Sequence, residues 1–227
     1  MSNNPVLLVH GFTTSARRTW AEPGWIDLLR DAGREVIAVD LLGHGDADKP
    51  HDPEAYEQVE ALVAAALPAE GQVDAVGYSA GARIVLYLAS QQPERFGRIV
   101  VGGVGKRLFE ERTENPILDA LEGRGDAEDM VGQHFVSLAN SDGNDPLALA
   151  AFVKRKAPDL GLDELAKVTA PTLVIIGDKD FAGPGEPLAE ALPNGTLLTL
   201  KGVDHFGLPK AFAFLEKGLD HIGAAPF

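Results

Sequence analysis

Val73-Asp74-Ala75-Val76-Gly77-Tyr78-Ser79-Ala80-Gly81-Ala82-Arg83 decides the fold. It reads as a buried strand that ends in Gly-x-Ser-x-Gly and runs straight into a helix over Ala80 to Gln91. Such a junction must turn sharply at the serine. A side chain larger than hydrogen at Gly77 or Gly81 would collide across it. The turn lifts the Ser79 Oγ out of the sheet and leaves the Ala80 amide at a helix N-terminus, free to donate. A hydroxyl presented in this way can attack a carbonyl. Small residues alone could also serve as a plain strand–helix joint, so the flanking strand and helix carry the weight.

Around that junction the chain alternates. Apolar runs at Val6–Val9, Glu35–Val39, Val73–Gly77, Ile99–Gly102, Thr172–Ile176 and Thr196–Leu200 read as buried parallel strands, most of them continuous Val/Leu/Ile. Helix-length segments lie between them. Asp52-Pro53-Glu54 supplies an N-cap and a proline at the first helical position. Tyr56, Val59, Val63, Ala66 and Leu67 then form an apolar stripe that ends at Pro68. Trp25 to Asp31 and Glu186 to Leu192 read as shorter helices. A last helix runs from Pro209 to Leu219 with Phe212 and Leu215 on one face. This alternation predicts a doubly wound α/β sheet, mostly parallel and six-stranded, with right-handed crossovers and helices on both faces.

One segment breaks the rhythm. Residues 105–168 are too many for a crossover helix. They hold two more Asx-Pro helix starts, Asn115-Pro116 and Asp145-Pro146, and Met130, His134, Phe135 and Leu138 recur between them at helical spacing. The expected organisation is a core of residues 1–104 and 169–227 with a helical lid or cap insertion at 105–168. Phe109, Met130, Phe135 and Phe152 read mainly as the core of that lid. Ser141-Asp142-Gly143-Asn144-Asp145 reads as an inter-helix turn and lacks the ligand spacing of a calcium loop.

Composition sets bounds. The 227 residues suit one sizeable α/β domain. Cysteine is absent, which excludes a disulfide framework, a thiolate metal site and a thiol nucleophile. No stretch reaches the roughly 18 apolar residues of a membrane span. A cytoplasmic location is the default expectation. The formal net charge of −14 argues against nucleic acid and anionic membranes as partners. No histidine pair has zinc spacing, and Gly102-Gly103-Val104-Gly105 does not match a dinucleotide loop, so no metal or cofactor is implied. Nothing in the chain specifies an oligomeric state.

A serine hydroxyl needs a base, an orienting acid and donors for the oxyanion it creates. His205 follows the last strand, and an imidazole titrating near about 6.5 suits a base that must later act as an acid. Asp180 follows the fifth strand, with Asp178 as its competitor; Asp204 adjoins His205, and adjacent side chains point apart. His10-Gly11-Phe12 follows the first strand and offers amides towards the serine. His10 and His44 read as loop braces; His51, His134 and His221 form no constellation.

His10-Gly11-Phe12, Asp40-Leu41-Leu42-Gly43-His44-Gly45, Gly77-Tyr78-Ser79-Ala80-Gly81, Gly177-x-x-Asp180 and His205 together resemble the α/β-hydrolase fold superfamily, in its order and spacing across nearly the whole chain. The resemblance implies Ser79 as nucleophile, His205 as base, Asp180 as acid, and the Phe12 and Ala80 amides as the oxyanion hole. It implies the strand order 2-1-3-4-5-6, with the switch point between the strands that carry Phe12 and Ser79. Gly11, Tyr78 and Arg83 are then candidates for substrate contact. The expected activity is hydrolysis of a small-molecule ester, thioester or lactone. Gly77 to Arg83 also resembles the menaquinone-pathway lyases of this superfamily, which place an arginine for an anionic substrate. Ala82 stands in place of their second glycine, and Asp46 where many relatives carry serine. A non-catalytic ligand-binding member is the third reading.

Overall fold

The computed structural model describes residues 3–110, 115–126, 128–141 and 143–225; Asp142 of the expected turn lies outside them. The strands are β1 (Val6–Val9), β2 (Val36–Val39), β3 (Val73–Tyr78), β4 (Phe96–Gly102), β5 (Thr172–Gly177) and β6 (Gly195–Leu200). They form one parallel sheet in the order β2-β1-β3-β4-β5-β6, as expected. The α-helices among the described residues are α1 (Trp25–Asp31), α2 (Val59–Ala65), α3 (Ala80–Gln91), α4 (Pro116–Leu121), α5 (Met130–Ala139), α6 (Pro146–Lys154), α7 (Leu162–Leu165), α8 (Glu186–Ala191) and α9 (Phe212–His221).

Strand side chains alternate between two layers of core. Leu7, Val9, Ala75, Ile99, Val101 and Val174 face one layer, closed by α2, α3 and α8. Val6, Leu8, Val76, Val100 and Ile175 face the other, closed by α1 and α9. Burial on both faces explains why these runs are continuous Val/Leu/Ile, and helices on both faces follow from it. In the second layer Trp20, Trp25 and Phe214 meet edge to face or tilted, with ring centroids 5.4–6.4 Å apart.

The Asx caps form as the sequence predicts. Asp52 accepts from the Glu54 amide, Asn115 from Leu118, and Asp145 from Leu147 and Ala148. Three details differ. Pro53–Gln58 is a 3₁₀ turn, and α2 starts only at Val59. Tyr56 is fully buried there and its hydroxyl donates to the Pro50 carbonyl at 2.6 Å, which ties those residues to the preceding loop. Phe212, expected on the buried face of the last helix, is 74% exposed. The inward stripe is Phe214, Leu215, Gly218 and Leu219, because Gly218 must lie against Trp25: a Cβ there would stand 2.3 Å from the indole. Met130, expected in lid core, opens α5 and is 79% exposed.

Between β4 and β5 the chain makes a helical excursion through α4 to α7. Phe135 of α5 and Phe152 of α6 are buried and reach Phe12, with ring centroids 5.8 and 5.6 Å away. Leu165 of α7 belongs to the core layer that α3 closes. Among the described residues no helix is long and apolar enough to cross a membrane.

Candidate active site

Parallel register brings the chemical groups to one edge of the sheet. Val9 of β1 stands opposite Gly77 of β3, Tyr78 opposite Gly102 of β4, and Gly102 opposite Ile175 of β5. The residues just past these strand ends therefore gather together. Ser79 sits in the turn between β3 and α3 with φ 53° and ψ −114°, a strained conformation for a residue with a Cβ. Its amide donates to the Gly102 carbonyl at 2.8 Å. A Cβ on Gly77 would stand 2.6 Å from the Ala82 Cα. A Cβ on Gly81 would stand 2.2 Å from the Val9 carbonyl oxygen. Only the first clash crosses the turn itself; the second is with β1, because α3 sets down directly on the neighbouring strand.

His205 is 3% exposed and bridges the other two groups. Its Nδ1 lies 2.9 and 3.1 Å from the two Asp180 oxygens, and its Nε2 lies 3.0 Å from Ser79 Oγ. A carboxylate only accepts, so Nδ1 carries the proton. Nε2 is then a bare lone pair facing the hydroxyl, and Ser79 donates to it. Asp180 Oδ1 also accepts from the Ala182 amide at 2.8 Å, which fixes the carboxylate. Asp178 is exposed and accepts from the Gly202 amide; Asp204 accepts from Gly207. Both brace turns and neither reaches the imidazole. The Tyr78 hydroxyl donates to the His205 carbonyl at 2.7 Å, and burial holds this phenol well above its ordinary pKa, so it stays a donor. Gly11 is buried against the Tyr78 ring, where a Cβ would come within 2.7 Å.

The Phe12 loop is built by buried histidines. His10 Nε2 accepts from the Leu41 amide at 3.0 Å, so its Nδ1–H donates to the Gly11 carbonyl at 2.7 Å. That carbonyl and the Phe12 amide share one peptide plane and point oppositely, so fixing one aims the other away from His10. His44 packs on Phe12 and Phe152 with ring centroids 5.6 and 4.9 Å away. The Asp40 carboxylate accepts from the amides of Ala16 and Asp46, and a Cβ on Gly45 would overlap it at 2.2 Å. This explains the run Asp40 to Asp46 as a knot behind the site.

Burial lowers His10 to about 4 and His44 to about 3. Both values lie below the imidazole's ordinary pKa, so between them the unfolded chain binds protons that the folded chain refuses. Stability should therefore be full above about pH 7 and fall as pH drops from about 6.5 towards 4, by on the order of 3 kcal/mol for each imidazole. Thermal melts across that range check this. A His44→Gln variant with the same pH slope as the native chain would refute it.

Ser79, Phe12, Ala80, Phe135, Phe152 and His205 line a cavity of about 210 Å³, which Arg83 also enters. Arg83 thus projects beside the serine and not into the flank of the sheet. Phe181 and Phe206 cover the imidazole, with ring centroids 4.3 and 5.5 Å from His205. The sequence reading missed both, although each directly follows its acid or base. It also missed Arg107 and Arg155, which line the same cavity.

A parallel sheet carrying a hydrogen-bonded serine, histidine and aspartate on its strand ends, in that chain order with the aspartate second, defines the class of α/β hydrolases. The comparisons agree: the alpha/beta hydrolase family model matches residues 6–216, and the chain belongs to this family. It is 28% identical to an uncharacterized hydrolase, YugF, of Bacillus subtilis, over 88% of this chain and 82% of that protein. It is 27% identical to the pimeloyl-[acyl-carrier protein] methyl ester esterase of Neisseria meningitidis serogroup B, strain H44/76, over 81% of this chain and 83% of that one. Among solved structures, a bromoperoxidase from Bacillus anthracis superposes with a TM-score of 0.72 at 22% identity, over 98% of this chain and 92% of its own.

Proposed function

We propose that the chain is a serine hydrolase of small carboxylic esters, thioesters or lactones that works through an acyl-enzyme on Ser79. The observation that supports it is the continuous set of contacts from Asp180 through His205 to the Ser79 hydroxyl. As Ser79 Oγ attacks the carbonyl carbon, His205 Nε2 takes its proton and Asp180 steadies the imidazolium. The amides of Phe12 and Ala80 receive the oxyanion, each worth about 10²–10³ in turnover. His205 returns the proton to the leaving alcohol. Water, deprotonated by His205, then attacks the acyl-enzyme and frees the acid. The residues 105–168 act as a lid whose Phe135 and Phe152 exclude bulk water from the serine. The Neisseria relative is named as an ester hydrolase, in line with this reading.

Ser79 lines two cavities, of about 210 and 620 Å³, and the smaller one, bounded by Phe135 and Phe152, suits a short acyl group. Among p-nitrophenyl esters, kcat/KM should fall as the acyl chain lengthens beyond about six carbons. Turnover of none of an ester, a thioester and a lactone would remove the hydrolase reading. The lyase reading draws on Arg83 beside the serine, and elimination from an anionic substrate without ester cleavage is its signature. A non-catalytic member would bind a ligand equally well after Ser79→Ala and show no turnover.

A further inference from the structure

Asn144, in the turn between α5 and α6, reaches back to the loop that carries Phe12. Its Nδ2 lies 3.1 Å from the Thr13 carbonyl oxygen and 2.9 Å from that of Leu138. Carbonyl oxygens only accept, so the amide presents its hydrogens to both. Thr13 directly follows Phe12 and is buried, with φ 61°, a left-handed conformation that a β-branched residue rarely adopts. Its hydroxyl donates to the Phe12 carbonyl at 2.7 Å. The Phe12 and Thr13 carbonyls belong to the two peptide planes that flank the Thr13 Cα, so holding both fixes its φ and ψ. The first hold is local. The second comes from the insertion, 131 residues further along the chain. Without it the strained Thr13 is free to relax, and the chain turns at Phe12.

The insertion also grips the Phe12 side chain. Phe152 of α6 stacks on it, with ring centroids 5.6 Å apart and planes 22° from parallel. Arg155 Cζ lies 3.9 Å from the Phe152 centroid, and Arg155 Nη1 donates to the Phe152 carbonyl at 3.1 Å. Arg155 Nη2 pairs at 3.3 Å with Glu60 of α2, outside the insertion, and the two side chains are only 11% and 9% exposed. Phe152 is therefore pinned to the core while it presses on Phe12. Resting on the hydrolase reading above and on its Phe12 donor, we infer that the insertion aims the oxyanion hole: Asn144, through Thr13, and Arg155, through Phe152, are positioning residues for the Phe12 amide.

Two conservative variants test this. Asn144→Asp removes both donor hydrogens at nearly constant size. Arg155→Lys keeps a charge for Glu60 and loses the planar group over Phe152. On p-nitrophenyl butyrate Asn144→Asp should lower kcat by about tenfold or more, and Arg155→Lys by about threefold or more. A matched pair of inhibitors separates a misaimed donor from a loosened lid. With butyl trifluoromethyl ketone, Ser79 Oγ adds to the carbonyl carbon, its proton passes to His205, and the carbonyl oxygen becomes the oxyanion. The matching trifluoromethyl carbinol has no carbonyl to attack and reads the cavity alone. The ketone's inhibition constant should rise by about the same factor as kcat falls, and the carbinol's should stay within about twofold. Melting temperature reports folding; if one variant does not fold, the other decides by the same pair. Native kcat and native ketone affinity in a folded variant overturn the inference for that residue, as do equal losses for ketone and carbinol, and in each case the hydrolase reading stands. A native chain that cleaves no ester and binds the ketone no tighter than the carbinol removes the hydrolase reading, and this inference with it.

Discussion

Ser79→Ala is expected to lower kcat on a short p-nitrophenyl ester by about 10⁴- to 10⁶-fold, with the fold retained. The loss is large because the whole path of the proton starts at this hydroxyl. His205 Nε2 has its lone pair 3.0 Å from the Oγ, in position to take its proton. Alanine keeps the Cβ and hence the strained φ of 53°, so melting temperature should move little. What survives is the modest catalysis that the oxyanion donors give to water alone. Steady-state turnover of freshly purified variant and native chain decides it. Retention of more than about a tenth of native kcat would place the nucleophile elsewhere.

Gly81→Ala should cost about 3 kcal/mol or more, a fall of roughly 6–12 °C in melting temperature, and should abolish ester turnover. A methyl group there would stand 2.2 Å from the Val9 carbonyl oxygen and 2.4 Å from that of His10. These are backbone atoms of the last residue of a fully buried strand and of the buried residue after it, so they cannot step aside as a side-chain tip would. Either α3 lifts from the sheet or β1 bends, and both movements separate Phe12 from Ser79. Gly161→Ala is the control: its nearest neighbour is the flexible Glu164 carboxylate at 3.5 Å, and its effect should stay within about 0.5 kcal/mol. Equal melting temperatures for the two variants would contradict this account of the elbow.

The layout of the sheet could be read from the chain because its cause is local. A strand buried on both faces is mostly apolar, as Leu7, Val76, Val100 and Ile175 show, and the one carboxylate in β3, Asp74, is buried against Arg34. The caps at Asp52, Asn115 and Asp145 were equally legible, since an Asx-Pro pair states both the acceptor and the first helical φ. Phe212 and Met130 misled because apolar character says only that a residue can be buried. Which way a helix is turned depends on its neighbours, here the Trp25 indole that admits only Gly218. Arg155 was illegible for the opposite reason. In Val153-Lys154-Arg155-Lys156 it looks like part of a solvated face, but the distant Glu60 and the Phe152 ring draw it inward. The order of the motifs likewise said that Ser79, Asp180 and His205 belong together, but the direction of each hydrogen bond needed coordinates.

The central claim is that the Ser79 hydroxyl is made nucleophilic by His205. It is tested most directly by brief exposure of the native chain to a fluorophosphonate, followed by peptide mass mapping. The account predicts one adduct per chain, on Ser79, and none in His205→Ala. A native chain that takes no adduct, or takes it on another residue, contradicts the account.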